Sequence, residues 1–254
     1  MAKKQRCKLC KNLFTENEMS DEHYPARSAG NNDVLTLYPT RFIDMLTSEK
    51  FTADLRNSFS NGENLEEIAN NFIDKVTEPT FPLGRTARTL CKNCNNLLGE
   101  YDDVYLKFYK NNGESDVIRG FAKTTKLKII KAIYGKFISI PEANKEAFDF
   151  LNFVLNSCEE EYSGVWKLYF VRRDESTDLF GLQHIDTGKI QYNDKKVVYE
   201  LSDDRFIYNL MNFEKHKEFK MTNIFEILNK KYKIYNGVGD LGGYHGMILL
   251  NKLK

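Results

Sequence analysis

Leu90-Cys91-Lys92-Asn93-Cys94-Asn95-Asn96-Leu97-Leu98-Gly99 decides how this chain is read. Two residues separate Cys91 from Cys94, the spacing at which one tight turn aims two sulfurs at a single ion. Toward the N-terminus the same clip recurs as Cys7-Lys8-Leu9-Cys10. Four thiolates complete the shell of a tetrahedral zinc, and a closed shell makes that zinc structural rather than catalytic. After the second clip Leu97, Leu98, Tyr101, Val104, Tyr105 and Phe108 recur at helical spacing, so a helix is expected from Cys91 to Phe108. A zinc knuckle followed at a distance by a CxxC-headed helix is the sequence image of a treble-clef site. The remaining cysteine, Cys158, stands alone in a stretch expected to be helical and is read as core. An odd count of five cysteines argues against a disulfide framework.

Between the clips lies Glu22-His23-Tyr24-Pro25. A carboxylate holds a hard divalent cation, and a neutral imidazole takes a proton from water near pH 7. On an extended strand adjacent side chains diverge, so Glu22 would face an ion while His23 meets the water above it. Asn95, on the first turn of the expected helix, offers an amide oxygen as a second hard ligand, and that helix N-terminus favours a bound phosphate. Asp102 and Asp103, two turns further on, either complete the metal shell or form a solvated acidic face; the second reading is preferred.

The arrangement C-x2-C … E-H-x-P … L-C-x-x-C-N-N-x-x-G over residues 5–103 resembles the HNH endonucleases, the ββα-metal nucleases, in the zinc-framed branch whose last motif reads Cys-Asn. The resemblance implies hydrolysis of DNA phosphodiester bonds to a 5′ phosphate and a 3′ hydroxyl. It implies His23 as general base, Glu22 and Asn95 as ligands of a catalytic Mg²⁺ or Mn²⁺, and Cys7, Cys10, Cys91 and Cys94 as the structural Zn²⁺ site. DNA is the implied partner, and a two-fold homodimer is consistent with cutting both strands. The family's middle asparagine, which pins the loop bearing the histidine, has no counterpart in residues 81–90; Asn96 or Arg88 stand as substitutes. The other class of function is a catalytically inactive, zinc-stabilised regulator that binds DNA or protein. Nucleases of this type occur in mobile elements, restriction and anti-phage defence.

Around this unit the sequence predicts an α+β chain. Residues 1–112 form the expected nuclease domain, with a helical insertion over about 31–83 ended by a breaker stretch, Thr77 to Gly84. A boundary is expected at Asn111-Asn112-Gly113. Residues 113–254 then carry helices over 117–138 and 141–157 and an antiparallel sheet from Gly164 onward. Its strands are expected at Trp166–Val171, Leu179–Ile185, Lys189–Tyr192, Val197–Leu201 and Phe206–Leu210, with a short helix near 222–229 and further strands around 231–235 and 247–251. This second domain is expected to recognise substrate, a partner protein or a ligand.

The 37 basic and 36 acidic side chains leave a formal charge of +1, which excludes a uniformly basic coat but not a local patch. Residues 1–112 alone hold 15 basic and 16 acidic side chains. The grip on DNA is therefore assigned to Arg119, Lys123 and Lys126, within a run that also holds Lys128, Lys131 and Lys136 and no acid, read as the outer face of an amphipathic helix. Arg27, Arg85 and Arg88 are candidates by proximity to the motif. Gly237-Val238-Gly239-Asp240-Leu241-Gly242 matches a dinucleotide fingerprint only literally and is read as a turn between strands. His184, His216 and His245 lack ligand spacing. No apolar run long enough to span a bilayer and no secretory signal is found, which points to a soluble, cytosolic chain.

Overall fold

The computed structural model describes residues 4–32, 34–37, 47–62, 64, 77–81, 83–173, 187–191, 195–215 and 220–237. The chain is mixed helix and sheet and divides into two units: residues 1–31 with 85–254, and residues 32–84.

In the larger unit, β1 (Lys4–Arg6) and β2 (Leu13–Thr15) form an antiparallel hairpin whose turn carries the first cysteine clip. The turn closes with Cys7 N–H on Asn12 O (2.9 Å) and Lys11 N–H on Cys7 O (3.0 Å), and Lys11 adopts φ +64°. β3 (Met19–His23) pairs antiparallel with β6 (Thr86–Cys91), Met19 opposite Cys91 and His23 opposite Thr86, with a register shift between Ser20 and Glu22. Cys91 N-caps α2 (Lys92–Lys110), so the second clip is shared between a strand end and a first helical turn. Leu98, Tyr101, Tyr105 and Phe108 recur at helical spacing on the buried side of α2.

The smaller unit contains β4 (Val34–Leu37) paired antiparallel with β5 (Thr77–Phe81), and α1 (Glu49–Ser60). The serine hydroxyl of Ser48 accepts from Phe51 N–H at 3.1 Å and caps α1. The breaker stretch expected at 77–84 is thus a strand over its first five residues; Pro79 is accommodated because a two-stranded ribbon leaves every strand with an unpaired edge. Residues 65–76 of the expected helical insertion lie outside the described residues.

After α2 the chain turns through Asn112 (φ +50°) and Gly113 (φ +62°) into α3 (Ser115–Ile118) and α4 (Lys123–Phe137). Gly113 is needed there twice over, since a Cβ would also fall 2.7 Å from the Phe108 ring. Every residue from Ile129 to Ile140 is buried. That burial, with that of Lys126, removes Lys126, Lys131 and Lys136 from the outer basic face expected for residues 119–136, while Arg119 and Lys123 are exposed. At the crossing of α4 with α2, a Cβ on Gly135 would lie 2.6 Å from Leu98 Cδ2, so glycine permits the close approach.

The helix expected over 141–157 is interrupted. Pro141–Ala143 makes a single 3₁₀ turn and α5 spans Leu151–Leu155. Between them Phe148 and Phe150 stack at 4.6 Å and Phe148 meets Trp166 edge-on at 5.1 Å. Burial of these rings against the sheet outweighs the weak propensity that would continue the helix. Lys131 crosses to α5, its ammonium donating to Asn156 O (2.6 Å) and Glu159 O (2.7 Å) at the open carbonyl end of that helix. Cys158 lies beyond α5 and is exposed rather than in the core.

β7 (Lys167–Arg173), β8 (Thr187–Gln191), β9 (Val197–Ser202) and β10 (Phe206–Met211) form an antiparallel sheet, ordered β11–β7–β10–β9–β8 with β11 (Thr222–Asn223) at one edge. β12 (Asn236–Gly237) adds parallel to β7. Alternation along the strands divides the sheet: Leu168, Phe170, Leu201 and Phe206 join the helices' core, while Tyr169, Val171, Val198 and Ile207 build a second, smaller cluster on the other face. The short helix expected near 222–229 is a 3₁₀ segment, Ile224–Leu228, capped by Asn223. The strands expected at 179–185 and 247–251, the rest of the glycine turn after Gly237, and His184, His216 and His245 lie outside the described residues.

Residues 85–112 therefore share one unit and one hydrophobic core with residues 113–237, so Asn111-Asn112-Gly113 is a turn within it. The α2–α4 packing is the physical reason. Among the described residues no helix is long and apolar enough to cross a membrane.

Candidate metal and catalytic centre

The β1–β2 turn docks on β6 through Lys8 N–H to Thr89 O (2.9 Å), which carries Cys7 and Cys10 to the β6–α2 junction. The sulfurs of Cys7, Cys10, Cys91 and Cys94 all lie within 4.8 Å of one another, Cys10 and Cys91 at 3.9 Å. Cys7 Sγ also accepts from Cys91 N–H at 3.3 Å. The Cys94 thiol beside it lowers the Cys7 pKa to about 4 against the opposing effect of burial, and the same contact raises Cys94. A largely buried cluster of four sulfurs has the donor set and spacing for a tetrahedral zinc.

Beyond this cluster β3 runs beside α2. Asn95, half-buried, donates its Nδ2 to Ser20 Oγ at 3.1 Å, and its Oδ1 is buried with no hydrogen-bond partner. That orphaned amide oxygen fits a hard cation. Glu22 is already engaged. The Glu22 side chain is only 5% exposed and its Oε1 accepts from Lys136 Nζ, which also donates to Asp102 Oδ2 at 2.5 Å. Asp102 sits seven residues beyond Asn95 on α2, a rise of about 10 Å. Glu22 and Asn95 are the two ligands expected of one ion. An ammonium brought from α4 takes the Glu22 charge instead.

Asp102 is partly buried rather than on a solvated face, and its pKa is pushed up to about 6 by burial, with Lys136 opposing and Glu22 adding to the rise. Its Oδ1 is buried without a partner. Burial lowers the Lys136 pKa, but the two carboxylates outweigh it and hold the ammonium protonated.

His23 ends β3 half-buried. The Asp21 carboxyl, two residues before it, is held below the ordinary range chiefly by the Arg88 hydrogen bond, with desolvation opposing and the Arg88 charge adding to the drop. The loop that follows His23 is fixed by a residue the sequence reading passed over. Buried Asn31 donates Nδ2 to Pro25 O (2.8 Å) and Arg85 O (3.0 Å) and accepts Arg85 N–H on Oδ1 (2.6 Å). It therefore ties the loop after His23 to the start of β6, the pinning duty that had been assigned to Asn96 or Arg88. Asn96 is exposed, and Arg88 instead forks onto Asp21 at 3.1 and 3.0 Å. The available sequence signal was Gly30-Asn31: Gly30 takes φ +88°, a turn that returns the following side chain to the loop.

The basic candidates scatter. Arg27 is exposed. Arg85 Nη1 donates to Thr187 Oγ1 at 3.3 Å. Arg119 is exposed beside Asp116 at 3.5 Å, and Lys123 is exposed and paired with Glu160. Lys126 is buried, donating to Asn229 O at 3.3 Å, so it does not belong to an outer basic face. No family model, no curated protein and no solved structure matches the chain.

Proposed function

We propose that β3, β6 and α2, framed by a structural Zn²⁺ on Cys7, Cys10, Cys91 and Cys94, are the ββα unit of an HNH-type endonuclease with treble-clef architecture, hydrolysing DNA phosphodiester bonds. The observation that carries the reading is the buried, unpartnered Oδ1 of Asn95 on the first turn of the cysteine-headed helix. His23, on the neighbouring strand and steadied by the loop that Asn31 ties down, takes the proton of the attacking water through its neutral imidazole. A Mg²⁺ or Mn²⁺ ion, when bound, neutralises charge on the scissile phosphate and on the departing 3′ oxygen. Asn95 supplies one ligand; Glu22 joins only by giving up Lys136. Arg88 and Arg27, both exposed, are the side chains offered to DNA phosphates. The second reading, an inactive zinc-stabilised regulator that binds DNA or protein, is favoured by one observation, the ammonium already seated on Glu22.

Plasmid DNA incubated with the zinc-loaded protein and Mg²⁺ or Mn²⁺ tests both. Cleavage that falls by a factor of about 10² or more in His23→Ala, with zinc content and fold kept, supports the nuclease. Undiminished cleavage in that variant sinks His23 as the base. DNA binding without cleavage by the wild type selects the regulator.

A further inference from the structure

Glu22, Lys136 and Asp102 come from three separate elements, β3, α4 and α2, and meet inside the larger unit. Lys136 and Glu22 keep only 6% and 5% of their side-chain surface exposed. Two carboxylates around one ammonium leave a net negative charge in a place with little water to screen it. The second oxygen of Asp102, Oδ1, is buried with no partner, and Asp102 and Lys136 border a small apolar-walled cavity with Pro25, Tyr105, Ile133 and Leu201. A buried pair of carboxylates with an unused oxygen is what a hard divalent cation accepts. What stands there is a cation already covalently part of the chain.

We propose that Lys136 is a positioning residue that acts as a tethered cation on the Glu22–Asp102 pair, so that a divalent ion reaches Glu22 only by displacing its ammonium. Lys136 thereby sets how tightly the centre binds divalent ions. The role of the ion in cleavage rests on the nuclease reading above; the competition for the carboxylates does not. With Lys136 in place, Glu22 is balanced and the centre binds a divalent ion weakly. With the ammonium removed and the side-chain volume kept, the Glu22 and Asp102 carboxylates are left with no shared counter-charge, and the ion is drawn in.

The test uses the full-length, zinc-loaded chain and Mn²⁺ alone, with free Mn²⁺ followed by electron paramagnetic resonance. Lys136→Met is expected to bind Mn²⁺ about tenfold or more tightly than wild type, the scale on which a charge a few ångströms away shifts an ionic equilibrium. Glu22→Gln added to Lys136→Met is expected to return the affinity to the wild-type value. Unchanged or weaker Mn²⁺ binding in a folded Lys136→Met protein overturns the proposal. Should Lys136→Met not fold, the wild type itself decides. Its Lys136 ammonium signal in ¹⁵N-lysine NMR, identified by its loss in Lys136→Arg, is expected to move as Mg²⁺ is added. A signal that stays put throughout the titration overturns the proposal. Plasmid cleavage measured on the same preparations separates the two readings. Tighter Mn²⁺ binding with no cleavage by any preparation retains the tethered cation and ends the nuclease; cleavage without the Mn²⁺ gain does the reverse.

Discussion

At the head of α2 four cysteine sulfurs crowd within 4.8 Å, and further along the same helix Asp102 shares Lys136 with Glu22. Both clusters concentrate negative charge in a largely buried place, which is unfavourable unless a cation answers it. At the cysteines the answering ion would come from outside the chain, and the donors are arranged by two local turns. At the carboxylates it comes from within, and three distant segments must fold before it arrives. The first cluster would tie folding to a metal; the second makes the position of a strand depend on a helix more than a hundred residues away in sequence.

The largest effect should come from breaking the first cluster. Cys91→Ser, or removal of zinc by a chelator, is expected to abolish ordered packing of the β1–β2 turn against β6 and α2. Structural zinc in small sites is worth about 10–16 kcal/mol of folding free energy. Metal analysis should find about one zinc per wild-type chain, and circular dichroism should show loss of cooperative melting in step with loss of metal. A Cys91→Ser protein that keeps its melting curve without metal would end the zinc frame.

Next in size is the second cluster. Without added divalent ions, Lys136→Met should destabilise the protein by about 3–5 kcal/mol in urea unfolding, because two partnered carboxylates lose their shared cation. A loss below about 1 kcal/mol would mean that the ammonium is a bystander.

Asp203 extends the comparison to a buried carboxylate served by neutral donors: the Tyr105 hydroxyl and the backbone N–H groups of Arg205 and Phe206 (2.9 and 2.8 Å). Burial pushes its pKa up to about 6, with these hydrogen bonds opposing. A carboxyl whose folded pKa lies above its unfolded value near 3.9 contributes stability below that unfolded value, and loses it as pH rises through 6. Relative to Asp203→Asn, which does not titrate, the wild type should therefore lose on the order of 1 kcal/mol between pH 5 and pH 7. Parallel stabilities of the two proteins across that window would refute the assignment.

The smallest effect belongs to an exposed ion pair. Arg88→Ala, which removes the fork onto Asp21, should leave the melting temperature unchanged, since pairs so open to solvent are worth little. If Arg88 touches DNA, the same change should weaken binding equally across sequences and lower the salt slope by about 1.

The contrast between the clusters also explains what could be read in advance. Cys7, Cys10, Cys91 and Cys94 announce themselves because each pair is set by a turn of fixed geometry, and the α2 periodicity follows directly from its buried side. Glu22, Asp102 and Lys136 have no such spacing. Their meeting depends on how α4 crosses α2 at Gly135, a tertiary fact with no local signal. The same blind spot turned the lysines of residues 123–136 into an outer face. A lysine stem is apolar enough to be buried when its ammonium finds carboxylates or open carbonyls, as Lys131 and Lys136 do. Likewise Phe148 and Phe150 fit a helical period by residue type but are claimed by the sheet. Asn31 was missed because its three partners are backbone groups on two segments, and backbone groups leave no trace in residue type.

Because α4 is buried from Ile129 to its end, it belongs to both of the neighbours it separates: α2 closes on one side of it and the sheet's aromatic face on the other. A gene fragment ending near residue 112 would carry the cysteine frame and His23 yet lack the wall on which they rest. It would also leave Glu22 without its lysine. The heritable unit is therefore larger than the motif that advertises it, and recombination that cut between the two would inherit a recognisable signature without a protein able to hold it.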